Sequence, residues 1–437
     1  MQIDQMPQSD HMDHQAPSEM KKMEPIELPK PKQQSPMDLI MLNMRRDGSG
    51  TSWQPIDNPM LMKMWQLGRW TTMLHWSVFG DYDNQGGPRG DQGFYSENWG
   101  MASVATPIRT RSVTQFRDMM SLEPLTVGSR GYPLLFQTGE TFRGEPLIDR
   151  QHPHDLFMEL SAQYWLRLKN STWFRLYAAP VGEPALGPVA YPHRYSALLN
   201  PEAPLSHHIQ DSSHITFGVA TAGIASKNLQ VEGSIFNGRE PDENRYDFDF
   251  GPFTSYSGRI SYLPNPNTSF QISCGLLDDP ESIEPGDVTR LTASTQYIKM
   301  LKNGWIASSI VFGHNFEAGP DETGVLWEAT WNFRKSYYLF TRIENVYRAE
   351  LLENVEDSGV DENRKFGVTV FSFGAARDLF RIKDVPFTLG TMMTMYAKSR
   401  VLDQFYGDFP ISFHVFLHTN APPMKHMPNI NNQMHSR

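Results

Sequence analysis

The chain carries a single cysteine, Cys274, in 437 residues. That excludes an internal disulfide and any CxxC zinc or iron–sulfur site. No run of ~18 apolar residues occurs, so a transmembrane helix is excluded as well. There is no excess of positive charge: 39 Lys and Arg stand against 49 Asp and Glu, a net charge of −10. A nucleic-acid partner, which would need a basic face, is therefore not expected. Walker A, GxSxG and HExxH motifs and a GxGxxG fingerprint after a strand are all missing. The chain also lacks a secretion signal at its start, so either the signal has been removed or the protein is not exported. Mean hydropathy of −0.48 looks soluble. It does not exclude a transmembrane β-barrel, in which every second residue can be polar.

What the middle of the chain has is alternation. In 324–334, Val325, Trp327, Ala329, Trp331 and Phe333 alternate with Leu326, Glu328, Thr330, Asn332 and Arg334. Segment 155–169 alternates Leu156, Met158, Leu160, Ala162, Tyr164, Leu166 and Leu168 with mostly polar partners. Segments 228–236, 288–297 and 337–348 repeat the pattern. A polar residue at nearly every second position predicts strands rather than amphipathic helices.

The connections alternate too. Short turns fall near 106–111, 169–171, 226–228, 263–267, 301–304, 334–336 and 381–384, and long polar loops fill the gaps between them. Counting from 64–79 to 409–418 gives about 16 strands, with both chain ends on the short-turn side; outer-membrane barrels have even strand numbers, short periplasmic turns and long extracellular loops. One face of the strands gathers aromatics: Trp70, Trp76, Trp327, Trp331, Tyr256, Tyr262, Tyr297, Tyr337 and Tyr347. The other gathers ions: Arg167, Arg175, Glu232, Arg259, Arg290, Glu328, Arg342 and Glu344. A soluble core could not bury these without complete pairing, whereas a watery lumen tolerates them. Cys274 falls on the apolar face. The expected fold is all-β: a transmembrane antiparallel barrel over 64–418, with a flexible Met/His/Pro-rich extension at 1–63 and a Met/His-rich tail at 419–437. Residues 1–36 are read as disordered, with too little apolar surface to offset ordering entropy.

Two loops carry the candidate site. Loop 122–154 contains Tyr132-Pro-Leu-Leu-Phe136, which solvent would not hold, so it is expected to fold into the barrel mouth. It continues into a stretch dense in ionic and ligand-type side chains, ending in His152, His154 and Asp155. His152 and His154 flank Pro153, and an extended step would put both imidazoles on one side. Loop 181–212 adds His193, His207, His208 and Asp211, with His214 entering the next strand. Six of the 14 histidines lie between 152 and 214. Strands ~4.8 Å apart would bring the two loops together on one rim. Imidazole with carboxylate suits Zn(II), Cu(II), Ni(II) or Fe. Equally, Arg, Asp and His networks pin inward-folded loops to barrel walls. The terminal candidates are His11, Met12 and His14, and Met424, His426 and Met427, because thioether and imidazole suit Cu(I). Ser206, His207 and Asp211 have the residue types of a hydrolytic triad, but adjacency in sequence does not supply its geometry.

Residues 137–155, His193–Arg194, 200–204, His207–His208 and 234–245 together resemble a family of bacterial outer-membrane β-barrels, a resemblance that implies location and fold but no activity. Asp10-His-Met-Asp-His14 resembles the N-terminus of outer-membrane copper-resistance B proteins and implies copper handling. The sequence thus predicts a barrel in the bacterial outer membrane, with periplasmic termini and lipid around it. Its expected role is that of a non-enzymatic channel or binding protein for metal ions, copper first and zinc second. A structural subunit with periplasmic or outer-membrane protein partners is the alternative, and an outer-membrane hydrolase a third.

Overall fold

The computed structural model describes residues 36–169, 171–281, 286–317, 319–355, 359 and 364–424. The strands follow the alternation. They are β1 Trp70–Asn84, β2 Asn98–Arg109, β3 Ser112–Met120, β4 Phe157–Lys169, β5 Thr172–Gly182, β6 Thr216–Ala225, β7 Leu229–Phe236 and β8 Ser255–Asn265. They continue as β9 Thr268–Leu277, β10 Val288–Leu301, β11 Gly304–Phe316, β12 Glu322–Phe333, β13 Tyr337–Arg348, β14 Phe366–Ile382, β15 Val385–Lys398 and β16 Ile411–Asn420. Each pairs antiparallel with the next, and β1 pairs with β16 from Ser77↔Asn420 to Asn84↔Phe413, which closes a 16-strand barrel.

Two short segments share positions with longer strands. Lys63–Leu67 pairs with the start of β1 on the edge that β16 takes further along. Gln92–Tyr95 pairs with the far end of β1, in line with β2. The turn at Lys383 and Asp384 has positive φ at both residues (48° and 74°), the geometry that matches the right-handed twist of a two-residue hairpin.

The barrel is apolar outside and polar within. On β9, Phe270, Ile272, Cys274 and Leu276 are exposed, while Ser269, Gln271 and Ser273 are buried. On β12, Val325, Trp327 and Trp331 face out and Glu328 faces in. The inner ions are paired: Arg259 with Glu232 at 3.0 Å, and Arg342 with Glu328 at 3.2 Å. A lipid-facing belt over a hydrogen-bonded closed sheet is what a membrane-spanning barrel requires.

The lumen is filled from both ends. From the short-turn side enters the helix α1, Pro36–Arg46, followed by residues 47–62. Asp47 pairs with Arg175 at 2.8 Å, and the Arg117 guanidinium donates to the Gly50 carbonyl. Arg175 and Gln230 donate to the Thr51 carbonyl at 3.1 and 2.9 Å, and Arg259 donates to its hydroxyl at 2.8 Å. This corrects the expectation of a flexible extension over the whole of 1–63. An 11-residue helix is marginal alone. Here Leu39, Ile40 and Met44 are buried in the apolar cluster and the inward arginines of β3, β5 and β8 clamp residues 47–51 behind it, which no local sequence feature announces. Residues 419–424 are packed as well: Ala421 is buried, and the Met424 amide donates to the Met60 carbonyl at 3.1 Å. Residues 1–35 and 425–437 lie outside the described residues.

Candidate metal centre

Loop 121–156 folds inward on its apolar stretch. Tyr132, Leu134, Leu135 and Phe136 are buried against Leu205, Ile209, Val368 and Tyr396, and Phe136 stacks on Tyr406 at 4.1 Å. Two small antiparallel pairings, Tyr132–Pro133 with Arg150–Gln151 and Thr141–Phe142 with Glu145–Pro146, shape the rest. Loop 183–215 crosses the lumen and is pinned to its walls. Arg194 bridges Asp211 at 3.0 Å and Glu328 at 2.6 Å, and the Leu205 and Ser206 amides donate to Glu344. Glu202 meets His414 at 2.8 Å.

The two loops bring five imidazoles together. Ring centroids of His207 lie 5.0 Å from His208, 5.1 Å from His214 and 6.4 Å from His152, and those of His154 and His214 are 5.4 Å apart. Only three offer converging ligand atoms: one nitrogen each of His152, His207 and His208 lie within 4.8 Å of one another. Glu140, His208 and Glu240 form a second such group, so His208 joins three imidazoles to two carboxylates.

Hydrogen bonds set which nitrogen is free. His152 Nδ1 lies 3.1 Å from the Pro153 carbonyl, an acceptor, so Nδ1 carries the proton and Nε2 keeps its lone pair. His207 Nδ1 is 2.6 Å from Asp211 Oδ1, which likewise leaves Nε2 as the lone-pair atom. Carboxylate and carbonyl partners of this kind orient metal-binding histidines and fix their tautomer. Both nitrogens of His208 lack a hydrogen-bond partner among the described residues. His152 Nε2 lies 3.0 Å from Glu140 Oε1 yet makes no aligned hydrogen bond. These atoms therefore converge without an aligned hydrogen bond between them.

The electrostatics favour a cation. Burial holds His152 and His208 well below the ordinary histidine range, and lowers His207 against the pull of Asp211, so all three are neutral donors at neutral pH. Burial would raise Asp211, but His207 and Arg194 outweigh it and hold it well below the usual carboxylate range. Burial pushes Glu140 up to about 7. Burial, with Glu140 beside it, pushes Glu240 up to about 8. Both carboxylates border an open cavity of about 570 Å³, whose lining also includes Asp242, Glu243, Glu281, Glu350 and Glu353. Backbone geometry preserves the space at its inner wall. Gly139 has φ of +98°, and a Cβ there would lie 2.7 Å from the His208 ring.

The remaining candidates go elsewhere. His154 does not join His152 as a chelating pair. Its Nδ1 pairs with Glu123 at 2.9 Å, and Glu123 outweighs burial to raise its pKa. Asp155 pairs with Arg245 at 3.4 Å and is pushed up by burial to about 6. His214 Nδ1 donates to the Asp211 backbone carbonyl at 2.7 Å. His193 leaves the rim and packs beside Trp99 at 4.6 Å. Met424 packs against a buried methionine-rich cluster instead of extending as a free ligand. His11, Met12, His14, His426 and Met427 lie outside the described residues. The Ser206 hydroxyl donates to Glu344 at 3.0 Å, away from the imidazole a triad would need. The sequence marks Glu140 as a ligand-type side chain of the first loop and Glu240 as part of an acidic stretch suited to weak binding of hard cations, but joins neither to His208. Glu240 comes from a third loop, 237–254, and nothing local ties it to the histidines.

No protein-family model matches the chain, and no curated protein sequence matches it. Solved structures do match in shape. An anion-selective porin from Comamonas acidovorans superposes with a TM-score of 0.50 at 7% identity, over 80% of this chain and 99% of that one. In-vitro folded OmpT of Vibrio cholerae gives 0.45 at 8% identity, over 82% and 99%. Salmonella typhi OmpF gives 0.45 at 9%, over 82% and 100%. The first of these shows the fold that the chain shares: a 16-strand transmembrane barrel of porin architecture.

Proposed function

We propose that this protein is a bacterial outer-membrane barrel that captures a divalent transition-metal ion at its mouth, with copper(II) favoured and zinc(II) next. The observation that carries this reading is the convergence of His152, His207 and His208, together with a second convergence of His208 with Glu140 and Glu240, two carboxylates that line an acidic cavity. Three imidazoles and two carboxylates suit Cu(II) and Zn(II), and copper(II) heads the divalent affinity order. The acidic cavity concentrates cations before the histidines bind them. Two inserted segments filling the lumen favour a binding role over an open pore. The porin architecture supports outer-membrane placement, and the sorting of short turns to the side of the chain ends supports periplasmic termini. No catalytic role is assigned. The Met- and His-bearing tails would exchange copper with this site or with protein partners in the periplasm.

Metal analysis of the full-length protein in detergent, wild type against H152A/H207A/H208A, tests the reading. The wild type is expected to retain one tightly held equivalent that the triple variant loses. Equal metal content in both, with a lower melting temperature in the variant, would make the cluster a purely structural network. A tag inserted at 242–249 should be reached by antibody on intact cells, and one at 302–303 should not; the reverse would invert the orientation.

A further inference from the structure

A second constellation lies deeper, where the inserted segment meets the barrel wall. A cavity of about 30 Å³ is lined by Met44 of α1, Met62, Met73 and His75 of β1, Met101 of β2, and His193 of the loop that crosses the lumen. The four methionines are buried. The imidazoles of His75 and His193 make no hydrogen bond among the described residues; their centroids are 6.3 Å apart. With a nitrogen–metal distance of about 2 Å, that spacing leaves room for one ion between them. The Trp99 ring packs against both imidazoles, its centroid 4.7 Å from that of His75 and 4.6 Å from that of His193, and so reports on them.

The donor set is unlike that of the mouth. Thioethers and imidazoles are soft or intermediate, neutral, and need no deprotonation. The charged residues on the lining are Asp47 and Arg117. Arg117 is neutralised by Glu159 at 2.8 Å. Asp47 pairs with Arg175 through Oδ2, while its Oδ1 has no partner. With both charges already paired, the lining holds no uncompensated carboxylate, so a monovalent ion in so buried a place costs far less than a divalent one. Methionine is also a poor choice for simply filling a chamber with precision, since its flexible side chain specifies packing weakly.

We propose that this chamber binds one monovalent soft metal ion, Cu(I) or Ag(I), through a low-coordinate set drawn from the imidazoles of His75 and His193 and the thioethers of Met44, Met62, Met73 and Met101. The site is separate from the mouth and does not depend on the reading given for it.

The test uses full-length protein in detergent, stripped of metal, and titrated with Ag(I), or with Cu(I) in the absence of oxygen against a chromophoric Cu(I) chelator. The H152A/H207A/H208A variant is expected to keep the chamber's equivalent, and Zn(II) should not displace it. M73L/M101L conserves volume and removes two thioethers; it is expected to bind one equivalent fewer, or to hold it at least tenfold more weakly. H75Q and H193Q form the second pair, for use if the leucine variant fails to give a heat-modifiable folded band. Ag(I) should also change tryptophan fluorescence in the wild type, and W99F should lose that change. Unaltered stoichiometry and affinity in the leucine variant, or in both glutamine variants if that variant does not fold, would overturn the proposal and leave the methionines as packing alone.

Discussion

The two ends of the lumen are built from different chemistry. At the long-loop end, His152, His207 and His208 converge, and His208 converges with Glu140 and Glu240, which line an open acidic cavity. At the short-turn end, methionines surround two imidazoles in an enclosed chamber, and arginines clamp the inserted segment. The walls between them are polar, with buried ion pairs such as Arg259–Glu232 and Arg342–Glu328. The difference lies in the source of the donors. At the mouth the donors all come from loops, whereas in the chamber wall residues Met73, His75 and Met101 join Met44, Met62 and His193 of the inserted segments. The comparison can be broken by disturbing one end and reading the other.

The largest effect is expected from the anchors. Arg194 is fully buried between Asp211 and Glu328. Arg194→Ala leaves Glu328 with Arg342 and Asp211 with His207 but breaks two buried ion pairs at once, a loss of about 3–5 kcal/mol. Loop 183–215 should then detach, with the mouth losing metal at least tenfold. Arg259 holds Glu183, Glu232 and Thr51 of the inserted segment. Arg259→Ala should lower the melting temperature comparably, yet affect Ag(I) binding more than divalent binding. Identical losses at both ends in both variants would mean that the lumen behaves as one unit.

The next effect is a pH dependence confined to the mouth. Glu140 and Glu240 titrate near 7 and 8 when folded, above the ordinary value of 4.5. The folded state thus holds more protons than the unfolded chain between these limits, so metal-free protein should lose stability as pH rises from about 5 to 8. A divalent ion replaces those protons. Its affinity should climb over the same interval, by up to about tenfold per pH unit for each proton released. Calorimetric titrations at pH 6, 7 and 8 give the slope. The thioether chamber should show a much flatter dependence, and equal slopes at both sites would erase the distinction.

The smallest effect is steric. Gly139→Ala places a methyl against the His208 ring at a backbone angle that only glycine adopts freely, a strain of about 1 kcal/mol. Divalent affinity should fall about fivefold with Ag(I) binding unchanged, as equilibrium titration would report.

The barrel was legible because period-2 alternation and the sorting of loop lengths are local signals repeated around the whole sheet. Leu134, Leu135 and Phe136 were legible for the same kind of reason: an apolar stretch inside a polar loop needs a place to bury itself. The clustering of histidines was visible in composition, but their division of labour was not. His152 and His154 differ by the presence of Glu123 beside the second, and that carboxylate arrives from the other end of the loop. His193 reads as a rim residue until the loop is seen to carry it across to His75 and Trp99. The inserted segment 36–62 was hidden because its partners, Arg117, Arg175 and Arg259, are distant in sequence and belong to strands that look complete without it.

One seam of the barrel belongs to both ends of the chain at once. Lys63–Leu67 and β16 lie end to end along the same edge of β1. A ribosomal product that stops before 411 would lack most of that edge. It would not be a narrower cylinder but an open sheet, with unpaired amides and carbonyls along β1 and β15 and no means of satisfying them in lipid. Premature termination should thus yield an aggregation-prone chain open to proteolysis. A single missing ribbon at the end of synthesis would discard all fifteen strands made before it.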